Sequence, residues 1–143
     1  MKVIKGKTVS KQGEVEGEAL VTDNLIAFWG ATDWETGEIV EVAHPLRGRN
    51  IKDKVLVFPA GKGGAGDTFG YYYLYRNGKA PKALVCNRPQ PTTVAGALLC
   101  NTPMVYGFRE NVIDLIANGD IVKVDSNAGT VEVIPRRNRR LSK

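Results

Sequence analysis

The chain has 143 residues and a mass of 15.6 kDa, enough for one domain that buries its core without a metal or disulfide staple. At 43% hydrophobic and 24% charged it reads as globular rather than disordered, and two cysteines with one histidine are too few ligands for a metal cluster or structural zinc. The net charge of +5 equals that of Arg136, Arg137, Arg139, Arg140 and Lys143, so the body nets zero and nucleic acid is not an expected partner.

Residues 1–135 are expected to form the domain, and 136–143 a basic, disordered tail. The N-terminus lacks a signal-peptide apolar run, and no window approaches the roughly 20 apolar residues of a membrane span. A cytoplasmic protein with Cys86 and Cys100 reduced is the expectation.

Lys2 to Val9 alternates as a strand with mixed sides, and Val15 to Thr22 follows as a second strand, ended by Asp23-Asn24. Leu25 to Trp29 and Glu38 to Val42 read as further strands on either side of the turn residues Glu35-Thr36-Gly37. Lys54 to Phe58 is an uninterrupted apolar run, which predicts a strand buried on both faces. After the Gly-rich loop Pro59 to Gly66, a helix is predicted over Asp67 to Arg76, with Asp67 as N-cap and Asn77-Gly78 as the stop. Ala83 to Cys86 is another buried strand, Thr92 to Cys100 a second helix, and Met104 to Tyr106 a short strand. Asn111 to Ala117 reads as a third helix, and Ile121 to Val124 with Thr130 to Ile134 as a closing hairpin around Ser126 to Gly129. A strand-rich N-terminal half thus leads into β-α-β-α-β, the pattern of an α+β, or β/β/α, domain.

The loop Gly61-Lys62-Gly63-Gly64-Ala65-Gly66, followed by Asp67-Thr68, is the informative local feature. A Gly-rich turn opening a helix leaves backbone N–H groups unpaired at the positive end of the helix dipole, which suits an anion. Gly61, Gly63 and Gly66 match the dinucleotide spacing G-x-G-x-x-G, but the acidic residue expected about 20 positions on is missing. Gly61 and Gly66 also match the phosphate-loop spacing, yet Asp67 stands where that motif needs lysine. A tight turn using glycines only for backbone angles is the plain structural reading. Tyr71, Tyr72, Tyr73 and Tyr75 crowd one helix, so one or two of them are expected to face a cleft or a partner. Trp29 and Trp34 flank a turn and would suit an interface, and His44 is expected to be a hydrogen-bonded structural residue.

The segments VEGEALV, LIAFWGATDWETGEIVEVAHPLRGRNIKDKVLVFPAGKG, RNGKAPKALV, AGALLCNTPMV and GDIVKVDSNAGTVEV, in that order, resemble the small, swivelling-domain subunit of the aconitase X family. The resemblance runs from about Val3 to Val133. It implies a β/β/α swivel domain, the small subunit of a hydro-lyase that dehydrates a hydroxy acid such as phosphomevalonate or cis-3-hydroxyproline. It also implies a large-subunit partner, in a heterodimer or higher assembly, carrying the iron–sulfur cluster, with no cofactor or metal held by this chain alone. Iron then acts as a Lewis acid on the departing hydroxyl while a base removes the adjacent proton. In the family the loop reads G-[KR]-G-S-x-x-G-S, and a serine from it is the proton acceptor. Here the first serine falls on Gly64, the following glycine on Asp67 and the second serine on Thr68. The resemblance therefore implies a substrate loop of Gly61, Lys62, Gly63, Gly64, Ala65 and Gly66, with Asp67 or Thr68 as the catalytic candidates. Three readings follow: a dehydratase subunit with an altered base, a subunit that has lost catalysis and serves binding or assembly, or an unrelated nucleotide- or RNA-associated protein.

Overall fold

A computed structural model describes residues 2–136; the expected basic tail lies, but for Arg136, outside them. Its strands are β1 (Lys2–Lys5), β2 (Lys7–Thr8), β3 (Glu14–Val21), β4 (Val55–Phe58), β5 (Ala83–Cys86), β6 (Met104–Tyr106), β7 (Ile121–Asp125) and β8 (Thr130–Ile134). The helices are α1 (Asp67–Arg76) and α2 (Pro91–Leu99).

The sheet order is β1-β8-β7-β3-β4-β5-β6-β2, and its two ends are one run of chain, since only Gly6 separates β1 from β2. The sheet therefore closes on itself. β3 to β6 are mutually parallel and the other pairings antiparallel. Closure explains the mixed alternation of the first strand: its register changes partner at Gly6, from β8 to β6. A Cβ on Gly6 would lie 2.5 Å from the Tyr106 carbonyl oxygen, so only glycine fits this seam.

Period-two alternation sorts the apolar residues into two cores. Val55, Val57, Ala83, Val85, Val122, Val124, Val131 and Val133 fill the inside of the closed sheet. Leu56, Phe58, Leu84 and Cys86 point outward and are covered by Tyr71, Leu74, Ala97 and Cys100 of the helical layer. This is an α+β arrangement of strand layers backed by helices. Tyr71 is fully buried, donates its hydroxyl to Thr102 Oγ1 at 2.8 Å and meets the Phe28 ring edge-on at 5.0 Å.

Two stretches differ from the sequence expectation. Leu25 to Trp29 and Glu38 to Val42 are not strands; they belong to a long covering segment with isolated bridges Ile26–Gly61, Thr32–Ile39 and Glu38–Asn50. Its Ile26, Phe28, Ile39, Leu46 and Ile51 are dropped one by one into the outer core, and this spacing imitates a strand pattern. Asn111 to Ala117 is not a helix but a 3-10 turn, Val112–Asp114, capped by the Asn111 side chain on the Ile113 N–H. Val112 and Ile116 instead pack into the interior of the closed sheet. The remaining predicted elements occur within a residue or two of their expected ends.

Candidate functional site

The Gly-rich loop is pinned at its base by backbone bonds. Ile26 N–H donates to Ala60 O at 3.2 Å and Lys62 N–H to Ile26 O at 2.8 Å, while Asn87 and Arg88 donate to Pro59 O. Its glycines serve different needs. A Cβ on Gly61 would sit 2.1 Å from Thr93 Oγ1, so Gly61 is required for close approach to α2. Gly64 has φ +98° with open space around it, so there the backbone angle, not packing, asks for glycine. Among the described residues, the N–H groups of Gly63, Gly64, Ala65 and Gly66 donate to no protein acceptor.

The expectation that Asp67 caps α1 is corrected: Gly66 is the N-cap, with no side-chain cap bond, and Asp67 is the first helical residue. Its carboxylate turns into the protein instead. Oδ1 accepts from the Phe28 N–H at 2.6 Å and the Trp29 N–H at 3.3 Å, and Oδ2 is buried without a partner. Two N–H groups of a segment lacking strand partners compete successfully for the oxygen a cap would use. Asp67 is 2% exposed; burial pushes its carboxyl above the ordinary carboxylate value, and the two backbone bonds pull it partly back.

Thr68 donates its hydroxyl to Thr92 O at 2.8 Å, holding the first turns of α1 and α2 together. α2 is capped by Gln90, whose Oε1 accepts from Thr92 N–H at 3.0 Å, with Pro91 preset for the helical start. The Thr93 hydroxyl is buried with no partner. Lys62 is exposed and pairs with Glu41 at 2.7 Å. The eight residues singled out in the sequence thus surround one helix start, but their side chains do not converge. Asp67 is buried beneath the loop, whereas Lys62, Gly64 and Ala65 are exposed.

Sequence reasoning missed Thr93, Gln90 and Glu41. A capping polar residue before Pro91 was a readable signal for Gln90; nothing local announces Glu41 or Thr93, which reach the loop only through the fold. His44 is buried: Nδ1 accepts from Leu46 N–H at 3.0 Å and Nε2 lies 3.2 Å from Leu25 O, so both ring nitrogens serve the covering segment.

Residues 3–133 match the family model for the aconitase X swivel domain. The chain belongs to the aconitase X swivel-domain family. Among similar proteins, the phosphomevalonate dehydratase small subunit of Methanocella arvoryzae is 39% identical over 121 residues, covering 85% of this chain and 92% of that one. That of Methanosarcina acetivorans is 38% identical over 131 residues, covering 92% and 90%. The crystal structure of Thermococcus kodakaraensis aconitase X in its holo-form superposes with a TM-score of 0.88 at 33% identity, covering 94% of this chain and all of that chain.

This aconitase X swivel domain does not itself fit an iron–sulfur cluster. No group of three or more His, Cys, Asp and Glu that could hold a metal ion occurs among the described residues. Cys86 and Cys100 are buried, free thiols, and burial pushes them up to about 12 and about 11. No described helix is long and apolar enough to cross a membrane.

Proposed function

We propose that this chain is the small subunit of a cytoplasmic, two-chain hydro-lyase that dehydrates a hydroxy acid, with phosphomevalonate as the first substrate to test and cis-3-hydroxyproline as the second. In this reading a large aconitase X-type subunit, in a heterodimer or higher assembly, carries the iron–sulfur cluster, and this chain closes over the substrate held there. The observation that carries it is the match of residues 3–133 to the swivel domain, together with the similar proteins above, which are named phosphomevalonate dehydratase small subunits.

The loop's own chemistry supports an anion-binding role. The unpaired N–H groups of Gly63 to Gly66, at the positive end of α1, suit a phosphate or carboxylate without any side-chain contact. Lys62 adds a cation once an anionic group displaces Glu41. Gly61 and Gly63 let the loop pack against Thr93 and Gln90 at the start of α2. Asp67 is the proton-acceptor candidate: its Oδ2 has no partner, and desolvation raises its basicity. Thr68 is the second catalytic candidate, although its hydroxyl already donates to Thr92 O.

Two observations favour a second reading. Gly64 offers no side chain where the family uses a serine, and Asp67 Oδ1 is already committed to two backbone N–H groups. A subunit that binds or assembles without moving a proton has the same architecture. Co-expression with the large chain of the same genome, followed by dehydration assays on both acids, separates the two. Turnover that Asp67→Asn abolishes while association survives supports the hydro-lyase with Asp67 as base. Unchanged turnover in that variant rejects Asp67, and no turnover by the parent complex on either acid overturns the catalytic reading.

A further inference from the structure

The outward face of α1 is aromatic and unpartnered. Phe69, Tyr72, Tyr73 and Arg76 recur at helical spacing on it, and the covering segment adds Trp29 and Trp34. The rings form a ladder: Trp29 meets Trp34 edge-on at 5.0 Å, Trp34 lies tilted on Tyr73 at 4.7 Å, and Tyr73 neighbours Tyr72 at 6.1 Å. At its end the Arg76 guanidinium sits 5.8 Å over the Tyr72 ring and donates to the Tyr72 hydroxyl at 2.9 Å. Trp29, Phe69 and Tyr73 are nevertheless 52%, 60% and 42% exposed.

Such a surface is costly to leave in water, and here it is also held stiff. Trp34 Nε1 donates to Phe28 O at 2.9 Å, Asn77 donates to Trp34 O at 2.8 Å, and Asp67 holds the Trp29 backbone. Ordered Trp, Tyr and Arg side chains lose little entropy on binding, which is why they dominate interface energetics. The ladder also begins at the substrate loop. The Trp29 ring covers Gly66, where a Cβ would lie 2.9 Å from its Cδ2. From there it runs the ten residues of α1, about 15 Å at the helical rise.

We propose that this ladder is the docking face for the large subunit, an inference that rests on the hydro-lyase reading above. The occupant follows from continuity: a chain that presents a substrate to the N–H groups of Gly63 to Gly66 brings its own rim against Trp29, the residue packed on Gly66. The partner surface that fits is an apolar groove with a carboxylate placed to meet the Arg76 guanidinium.

The test is binding of the full chain to the large subunit of the same genome, measured by calorimetric titration. Trp29→Ala and Tyr73→Ala are each expected to weaken binding about 30-fold or more, as interface anchors do. Val3→Thr, at an exposed position on β1, leaves it unchanged. Tyr73→Ala keeps the test valid if Trp29→Ala disturbs the loop, and thermal unfolding monitors that each variant folds. Wild-type affinity in both ladder variants overturns the docking face while leaving the two-chain assembly standing. No binding by the wild-type chain overturns both. Self-association of the wild-type chain that Tyr73→Ala abolishes assigns the ladder to a second copy and overturns the proposal.

Discussion

Gly70 offers a substitution for which local propensity and tertiary packing predict opposite signs. It lies within α1, where replacing glycine by alanine gains about 1 kcal/mol from reduced chain entropy and better helix propensity. In this fold, however, a Cβ at that position would lie 2.5 Å from Phe28 O, 2.6 Å from Phe28 C and 2.7 Å from Trp29 N. All three are backbone atoms, so no rotamer change relieves the clash. Nor can the opposing segment move away freely, because Phe28 is fully buried against Tyr71 and its N–H is held by Asp67. The helix must lift, which costs about 1–3 kcal/mol of overpacking strain. Lifting also weakens the charge-assisted bonds of Asp67 to Phe28 and Trp29, about 1.5–3 kcal/mol. After the propensity gain the net loss for Gly70→Ala is about 3 kcal/mol. With a urea m-value of about 2 kcal/mol per molar, the unfolding midpoint falls by about 1.5 M. A midpoint equal to or above wild type would refute the claim that α1 is seated directly on the 28–29 backbone.

Two further outcomes are expected. Asp67 titrates above its ordinary value in the fold, so its contribution to stability is full below about pH 4 and is lost as pH rises through the raised value; Asp67→Asn lacks this loss, so its stability relative to wild type should improve between pH 4 and pH 7 in urea melts, and a constant or opposite difference would contradict the assignment. Cys86 and Cys100, with thiols pushed up to about 12 and about 11, should resist a disulfide reagent at pH 8 in the folded chain and both react in denaturant, whereas rapid labelling of the native protein would show that the outer core opens readily.

The geometry around the loop also separates two roles that the sequence runs together. Asp67 and Thr68 look like a reactive pair at a helix start, yet each side chain already makes a bond that ties elements together. Asp67 fixes the segment that carries Trp29, and Thr68 fixes α2 against α1. Any proton transfer by Asp67 must therefore use Oδ2, the oxygen without a partner.

The amino-acid sequence alone determined the elements whose signals are local. Uninterrupted apolar runs marked the doubly buried strands β4 and β5, Asn77-Gly78 marked the end of α1, and the turn at Ser126 to Gly129 marked the closing hairpin. The order of motifs likewise sufficed for the family. Only the tertiary structure decided whatever depended on partners distant in the chain. Gly6 became a seam because β8 and β6 claim the two sides of one strand, and closure of a sheet leaves no trace in a short window. The residues of 25–29 and 38–42 have strand-like alternation, but burial of single side chains over an existing core produces the same pattern without a ladder. Asp67 has the composition of a cap, yet the donors that captured it lie 38 and 39 residues earlier. Side-chain direction at the loop is set by which unpaired backbone groups the fold brings within reach, and that is a property of the assembled layers rather than of neighbouring residues.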